Sequence, residues 1–320
     1  MKNLFMREET TKLPKMIVLL GPTACGKTDW SLRLAKKIGG EIISADSRQI
    51  FKKMSIGTGK VEGEWKRNGL RKTYFAEGVP HHMIDFLNPG KSFSVAEFRD
   101  KAVKYAKMAH SEGKIPMLVG GTGLYVHSVV DNLKIPRIPP NKKLRKSFET
   151  KSNEDLIHLL RQMDPKTADS VSPMNKRRII RALEVCILSG EPFSEQQKKG
   201  DPIFDILQIG IDVPRELLHE RISKRVDGMV QQGLVEEIRN LLRQKYSWKL
   251  PSMSGIGYRQ FKGYFEGEYD LDEAIWRLKR DTRRYARRQH TWFKRDSRIH
   301  RCTKYEEVEK LVDEFLAENN

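Results

Sequence analysis

Eight consecutive residues, Gly21-Pro22-Thr23-Ala24-Cys25-Gly26-Lys27-Thr28, follow the pattern G-x-x-x-x-G-K-[ST]. The glycines let the backbone curl so that its N–H groups converge on phosphate oxygens. Lys27 can neutralise the outermost phosphate, and the Thr28 hydroxyl can hold Mg²⁺. A short apolar run, 16–20, precedes the pattern, and helical spacing over 27–38 follows it. A chance match in an ordinary turn would lack that strand–helix context. The helix start adds a favourable dipole for an anion. The motif calls for a diphosphate or triphosphate and specifies neither ATP nor hydrolysis.

Two further polar residues close apolar runs. Asp46 follows the run 41–44, and the carboxyl ends of strands are where α/β sheets place ligands. Its carboxylate can serve as a general base or as an ordinary helix N-cap. The residue types alone leave both open. Thr122 sits in Gly120-Gly121-Thr122-Gly123, after the run 115–119, where it can bind a ligand or cap a helix starting near Leu124. Arg221 and Arg225 are four apart on one helical face. They can clamp phosphates or form a solvated basic face. Arg239 and Arg259 are candidates of the same kind. A guanine-reading Asn-Lys-x-Asp is absent, since Asn175-Lys176-Arg177-Arg178 and Asn141-Lys142-Lys143-Leu144 lack the aspartate. The nearest Walker B candidate, Met83-Ile84-Asp85, is weak, which disfavours a motor-type ATPase.

The elements that must position these groups alternate. Buried strands over 16–20, 41–44 and 115–119 are separated by helices over 27–38 and 94–110. That rhythm predicts a parallel α/β sheet flanked by helices. The stretch 134–146 is basic and proline-rich and marks the edge of an insertion. Helices over 153–163 and 175–189 follow without strands, and 204–211 returns to the sheet. The expected division is a core of 1–130 and 201–320 around a helical insertion of 131–200. The remainder is mostly helical, over 215–232, 235–244, 258–266, 270–288 and 306–318, with a short edge strand at 298–301.

The chain has 320 residues, with 60 Lys and Arg against 42 Asp and Glu, a formal charge of +18. That excess points to a polyanionic partner. It concentrates in 276–298, where basic residues interleave with Tyr285, Trp292 and Phe293. Cations meet phosphates without sequence preference, and aromatics stack on unpaired bases. The plainer reading packs the aromatics into the core, which is expected for Tyr285, and leaves Arg287 and Arg288 to touch RNA. Three dispersed cysteines favour neither a disulfide framework nor a zinc site. With no run of about 18 apolar residues and no secretory pattern in the charged stretch 1–15, a cytoplasmic protein is expected.

An ordered set of segments resembles bacterial tRNA dimethylallyltransferases, the IPP transferase family, over nearly the whole chain. The set comprises the loop at 21–28, Ile-Ile-Ser-Ala-Asp-Ser-Arg-Gln at 42–49, Ile-Gly-Thr at 56–58, His-His-Met-Ile-Asp at 81–85 and Gly-Gly-Thr-Gly-Leu-Tyr at 120–125. It continues with Arg-Arg-Ile-Ile-Arg-Ala-Leu-Glu at 177–184, Gly-Ile-Gly-Tyr-Arg-Gln at 255–260 and Ala-Arg-Arg-Gln-His-Thr-Trp-Phe at 286–293. Departures are Cys25 for the usual Ser, Ser55 for Asp, and Gly59-Lys60-Val61 for Ala-Lys-Pro.

The resemblance implies a P-loop NTPase-like fold and transfer of dimethylallyl from its diphosphate to N6 of adenine 37 in the tRNA anticodon loop, with Mg²⁺ as cofactor. It implies Asp46 as the base and Thr122 on the bridging oxygen. The loop at 21–28 with Arg221 and Arg225 would hold the diphosphate. Contacts to tRNA are implied for Asp46, Ser47, Arg48, Gln49, Thr122, Arg145, Arg177, Arg178, Ile179, Ile180, Arg181, Arg259, Arg287 and Arg288. The target base would flip into a channel between core and insertion, at a cost of a few kcal/mol. A monomer and no membrane partner are expected. Two alternatives share the loop: a small-molecule kinase or adenylate prenyltransferase, which has no use for the basic block at 276–298, and a non-catalytic RNA-binding ATPase, which has no use for Asp46.

Overall fold

The computed structural model describes residues 12–68 and 71–318. Part of the charged N-terminal stretch, residues 1–11, lies outside them. The first strand, β1 (Lys15–Leu20), feeds the glycine loop and α1 (Lys27–Ile38). Then come β2 (Glu41–Ala45), β3 (Glu64–Asn68), β4 (Arg71–Ala76), β5 (Val79–His82), α2 (Val95–Ser111), β6 (Pro116–Gly120) and α3 (Gly123–Val130). Four helices form the middle of the chain: α4 (Lys142–Glu149), α5 (Asn153–Met163), α6 (Pro165–Ser170) and α7 (Lys176–Ser189). The chain closes with β7 (Asp205–Ile211), α8 (Arg215–Gln231), α9 (Leu234–Arg243), α10 (Lys262–Glu266), α11 (Leu271–Lys294), β8 (Ile299–Cys302) and α12 (Tyr305–Ala317).

The strands form one sheet of order β3-β4-β5-β2-β6-β1-β7-β8. Pairing is parallel from β5 through β8 and antiparallel only at β3–β4 and β4–β5. The central strands are apolar along their length because helices cover both faces, and Met16 to Leu20 are fully buried. The apolar residues of α1, Leu32, Leu34 and Ala35, pack with Ile17, Leu19, Met117 and Ile209 of the sheet. A second cluster joins Ile50, Phe51 and Met54 to Ile238, Leu241, Tyr258, Phe261 and Leu278 of the C-terminal helices.

The chain divides into two compact units, 1–126 with 203–320, and 127–202. The smaller unit has its own core of Phe148, Leu156, Leu160, Ile179, Leu183 and Val185. Its helices start on polar caps: Ser152 and Asp155 form a capping box on α5, and Asn175 accepts from the Arg178 N–H on α7. Gly190, at φ 75°, stops α7.

Several elements differ from expectation. The β3–β4–β5 meander was not anticipated, because its strands are short and charged. Only alternate residues of β4, Tyr74 and Ala76, are buried. Its β4–β5 turn, Glu77-Gly78, has φ of 48° and 81°, the two-residue turn with both centres left-handed. The segment 258–266 is a 3-10 turn, Arg259–Phe261, followed by α10 rather than one helix. Helix α11 runs six residues past the expected end at 288, because Gln289 and Phe293 continue its buried stripe. Helices α4 and α6 were also missed. Among the described residues no helix is long and apolar enough to cross a membrane.

Candidate active site

Parallel register brings the chemistry-bearing residues together. Leu20 and Ala45 both pair with Gly120, and Leu20 pairs with Gly210. The segments leaving β1, β2, β6 and β7 therefore share one edge of the sheet, where Gly21, Asp46, Thr122 and Asp212 lie side by side. A cavity of about 970 Å³ opens there, lined by residues 23–28 and 46–49, with Arg221, Arg225, Tyr285 and Arg288 among the others.

The glycine loop is formed as a cradle. Gly26 has φ 100°, a left-handed conformation at the start of α1 that glycine adopts without strain. Among the described residues, the N–H groups of Ala24, Gly26, Lys27 and Thr28 donate to no protein acceptor. The Lys27 ammonium donates to the carbonyls of Gly21 at 2.8 Å and Pro22 at 2.6 Å. Unpaired N–H groups at a helix start beside a lysine form an anion site. Thr28 is an exposed residue at its rim.

Two arginines of α8 close over the loop. Arg221 donates to the Cys25 carbonyl at 3.5 Å. Arg225 reaches Thr23 Oγ1 at 3.4 Å and the Gly59 carbonyl at 3.1 Å. Burial lowers the Arg225 pKa, while the negative charge of Asp46 works the other way. Arg239 does not join them. It pairs with Glu236 and lies 5.9 Å from the Phe265 ring centroid.

Asp46 caps a turn with one oxygen: Oδ1 accepts from the N–H of Arg48 at 2.7 Å and of Gln49 at 3.3 Å. Capping and catalysis are thus compatible for a two-oxygen group. Thr122 Oγ1 accepts from the Ser47 N–H at 3.1 Å, and the Thr122 N–H donates to the Ala45 carbonyl at 3.1 Å. Its own carbonyl accepts the first N–H groups of α3, from Tyr125 and Val126. Burial together with the Asp46 charge pushes the Tyr285 pKa up to about 12. Tyr285 was expected in the core. It lines the cavity instead, with Arg288 over its ring at 5.7 Å.

The other expected RNA contacts separate by surface. Arg177, Arg178, Arg287 and Arg288 are exposed. Arg48 reaches the Pro251 carbonyl at 2.6 Å, and Gln49 donates to the Gly59 carbonyl at 3.2 Å. Arg259 pairs with Asp281 at 3.3 Å. Ile179 and Ile180 are buried within the smaller unit, so their side chains build its core instead of presenting a surface to RNA. Arg145 and Arg181 are bound to the fully buried Glu184, at 2.7 Å each. Burial would raise the Glu184 pKa, but hydrogen bonds from the two arginines and the Asn141 N–H overcome it and hold the carboxyl at about 2. Asp85, the weak Walker B candidate, is paired with Lys60 at 2.5 Å and with the Trp65 indole at 3.0 Å, away from the cavity.

Sequence reasoning missed Gln289 and Glu237. Gln289 occupies the buried stripe of α11 with Thr282, Ala286 and Phe293; its signals were a polar residue at a core position and its place in the family-like segment 286–293. Glu237 accepts from the N–H groups of Ser55, Ile56 and Gly57 at 2.8–3.0 Å and from the Tyr258 hydroxyl at 2.8 Å. It fixes the loop that presents the Gly59 carbonyl to Arg225 and Gln49. Glu237→Ala strands those donors and is expected to destabilise the protein by about 1–3 kcal/mol, with Glu237→Gln less affected. Urea denaturation of the two variants checks the order.

A glycine loop with free N–H groups, a carboxylate and two arginines around one cavity, with Thr122 one residue beyond its Gly121 wall, define a P-loop-type transferase of a phosphorylated donor. Comparison with known proteins makes this specific. The IPP transferase family model matches residues 49–296, and the isopentenyl transferase model matches 14–83. The chain is 41% identical over 310 residues to the tRNA dimethylallyltransferase of Alkaliphilus oremlandii, covering 94% of this chain and 96% of that protein. It is 44% identical over 284 residues to that of Roseiflexus castenholzii, covering 88% and 90%. Among solved structures, the full-length tRNA isopentenylpyrophosphate transferase from Bacillus halodurans aligns with a TM-score of 0.68 and 37% identity, covering 95% of both chains. A eukaryotic dimethylallyltransferase acting on tRNA aligns with a TM-score of 0.72 and 26% identity, covering 95% of this chain and 77% of that one. The chain belongs to the IPP transferase family.

Proposed function

We infer that the chain transfers a dimethylallyl group from dimethylallyl diphosphate to N6 of adenosine 37 in tRNA, giving N6-dimethylallyladenosine and diphosphate. The observation that carries this reading is the single cavity shared by an anion-binding loop and the Asp46 carboxylate, in a chain of this family. The donor's C1–O bond breaks and its electron pair leaves with the diphosphate. The N6 lone pair forms the new C–N bond, and the N6 proton passes to Asp46. Adenine N6 is a poor nucleophile because its lone pair is conjugated with the ring, so a base that orients it and accepts its proton has work to do. The loop N–H groups, Lys27, Arg221 and Arg225 stabilise the charge of the leaving group. Thr122, bonded to the residues on either side of Asp46, is the hydroxyl we assign to the bridging oxygen.

Mg²⁺ fits this donor set as a substrate-completed site. Among the described residues no cluster of His, Cys, Asp or Glu can hold a metal unaided, and the exposed Thr28 hydroxyl at the cavity would hold an ion that takes its other ligands from diphosphate and water. A bound ion would supply positive charge beside the departing diphosphate. The tRNA contacts we assign are the exposed Arg287 and Arg288 on the larger unit, and Arg177 and Arg178 on the insertion. Incubation with dimethylallyl diphosphate, Mg²⁺ and unmodified tRNA, followed by mass analysis of the nucleosides, is expected to reveal N6-dimethylallyladenosine. Product from AMP in place of tRNA would refute the RNA assignment.

A further inference from the structure

The amide of Gln289 is a bridge between two parts of the cavity. Its Oε1 accepts from the Thr23 N–H at 2.9 Å, inside the glycine loop. Its Nε2 donates to the Gly121 carbonyl at 2.8 Å, in the turn that carries Thr122. The side chain is only 6% exposed. A Cβ on Gly121 would lie 2.1 Å from that Nε2, so the bare backbone there is what admits the amide. Thr122 in turn holds the Ser47 N–H, next to Asp46. A continuous path thus runs from the glycine loop through one side chain to the turn of Thr122, and on to the segment of Asp46.

Few side chains can make this bridge. The loop offers a donor and the turn an acceptor, so the spanning group must accept at one end and donate at the other. Glutamate lacks the donor, asparagine is one methylene shorter, and methionine has the shape without either bond. One N–H of the anion cradle is thereby committed to protein. That commitment makes sense if the loop must hold a fixed distance from its neighbour before any phosphate arrives.

We propose that Gln289 is a positioning residue that sets the spacing between the phosphate-binding loop and the turn bearing Thr122 and Asp46, and so governs the transfer step rather than the binding of either substrate. The proposal rests on the function inferred above. An error of about 1 Å between reacting groups can cost roughly 100-fold in rate.

The test compares wild type with Gln289→Met, which keeps the packing, and Gln289→Glu, which keeps the acceptor. The Met variant is expected to lose roughly 10–100-fold in kcat, with the Kd for tRNA and for inorganic pyrophosphate within about twofold. Its Tm should fall modestly, because the Gly121 carbonyl loses its partner, while the protein stays folded at the assay temperature. The Glu variant is expected to fall further than its conservative size suggests, because its carboxylate opposes the Gly121 carbonyl. Amide exchange supplies a readout independent of activity. In the ligand-free protein the Thr23 N–H should exchange at least about tenfold faster in Gln289→Met than in wild type. Equal exchange overturns the bridge, whether or not the protein prenylates tRNA. A Met variant within about twofold of wild-type kcat overturns the positioning role, and so does a loss that tracks weaker tRNA or pyrophosphate binding, or one that vanishes when the assay is run well below the variant's Tm. A wild-type protein that shows the exchange difference but no transfer refutes the function while leaving the bridge in place.

Discussion

Asp46→Asn is expected to lower kcat by about 10²–10⁴-fold, the range for loss of a general base, while leaving the fold and both substrates' binding intact. The asparagine Oδ1 can still accept from the Arg48 and Gln49 N–H groups, so the turn after β2 survives. What disappears is the ability to take a proton from N6. The charge change has a further consequence of known sign. Asp46 is the negative charge that offsets burial at Arg225 and Arg48. Without it the cavity is more positive, and pyrophosphate should bind equally well or more tightly. Asp46→Ala, by contrast, also loses the cap, at about 1 kcal/mol. Single-turnover rates and pyrophosphate calorimetry on both variants separate the roles. An Asn variant within threefold of wild-type kcat would end the assignment of Asp46 as base.

The two kinds of residue in this site differ in how they announce themselves in sequence. The glycine loop is contiguous, and its chemistry depends on local backbone geometry, so eight residues suffice to locate it between β1 and α1. Asp46 and Thr122 are legible for a related reason: each ends an apolar run, and parallel pairing puts such ends on one edge. Gln289 acts instead across 266 residues of sequence, on the Thr23 N–H. The family-like segment 286–293 contains it, but nothing local assigns it a role except its place on a buried stripe. Tyr285 lies four residues before it and was expected in the core because helical spacing cannot distinguish a packed aromatic from one facing a cavity. The arginines of α7 illustrate the converse. The run Arg177-Arg178-Ile179-Ile180-Arg181 reads as one basic patch, yet helical geometry turns Ile179 and Ile180 inward and Arg181 toward Glu184. The β3–β4–β5 meander escaped notice because Glu77-Gly78 lacks the Asn or Asp that usually marks such a turn.

Arg225 presents an energetic puzzle whose resolution is a second large prediction. Its guanidinium is drawn into the protein and loses solvation, which lowers its pKa. Yet among the described residues it forms no ion pair, only a hydrogen bond to the Gly59 carbonyl and a longer one to Thr23 Oγ1. A partly desolvated cation without a carboxylate is costly in the free protein. The cost is recovered if an anion arrives, and the neighbouring N–H groups of the glycine loop show where it would sit. Arg225→Gln is therefore expected to have opposite effects on activity and stability. It should raise the donor KM and lower kcat, for a combined loss of roughly 10²–10³-fold in kcat/KM, comparable to the removal of one strong oxyanion contact. The Tm of the ligand-free protein should stay level or rise, because the substitution removes a desolvated charge that has no ion-pair partner and is offset only at a distance by Asp46. The stabilisation that pyrophosphate confers on wild type should shrink in the variant, since only a ligand-bound state uses this arginine. Thermal unfolding with and without pyrophosphate, set beside steady-state kinetics, reads all three quantities. A variant that lost stability in the free state while keeping its pyrophosphate-induced shift would make Arg225 a structural group, and the diphosphate would then have to be held by Lys27, Arg221 and the loop alone.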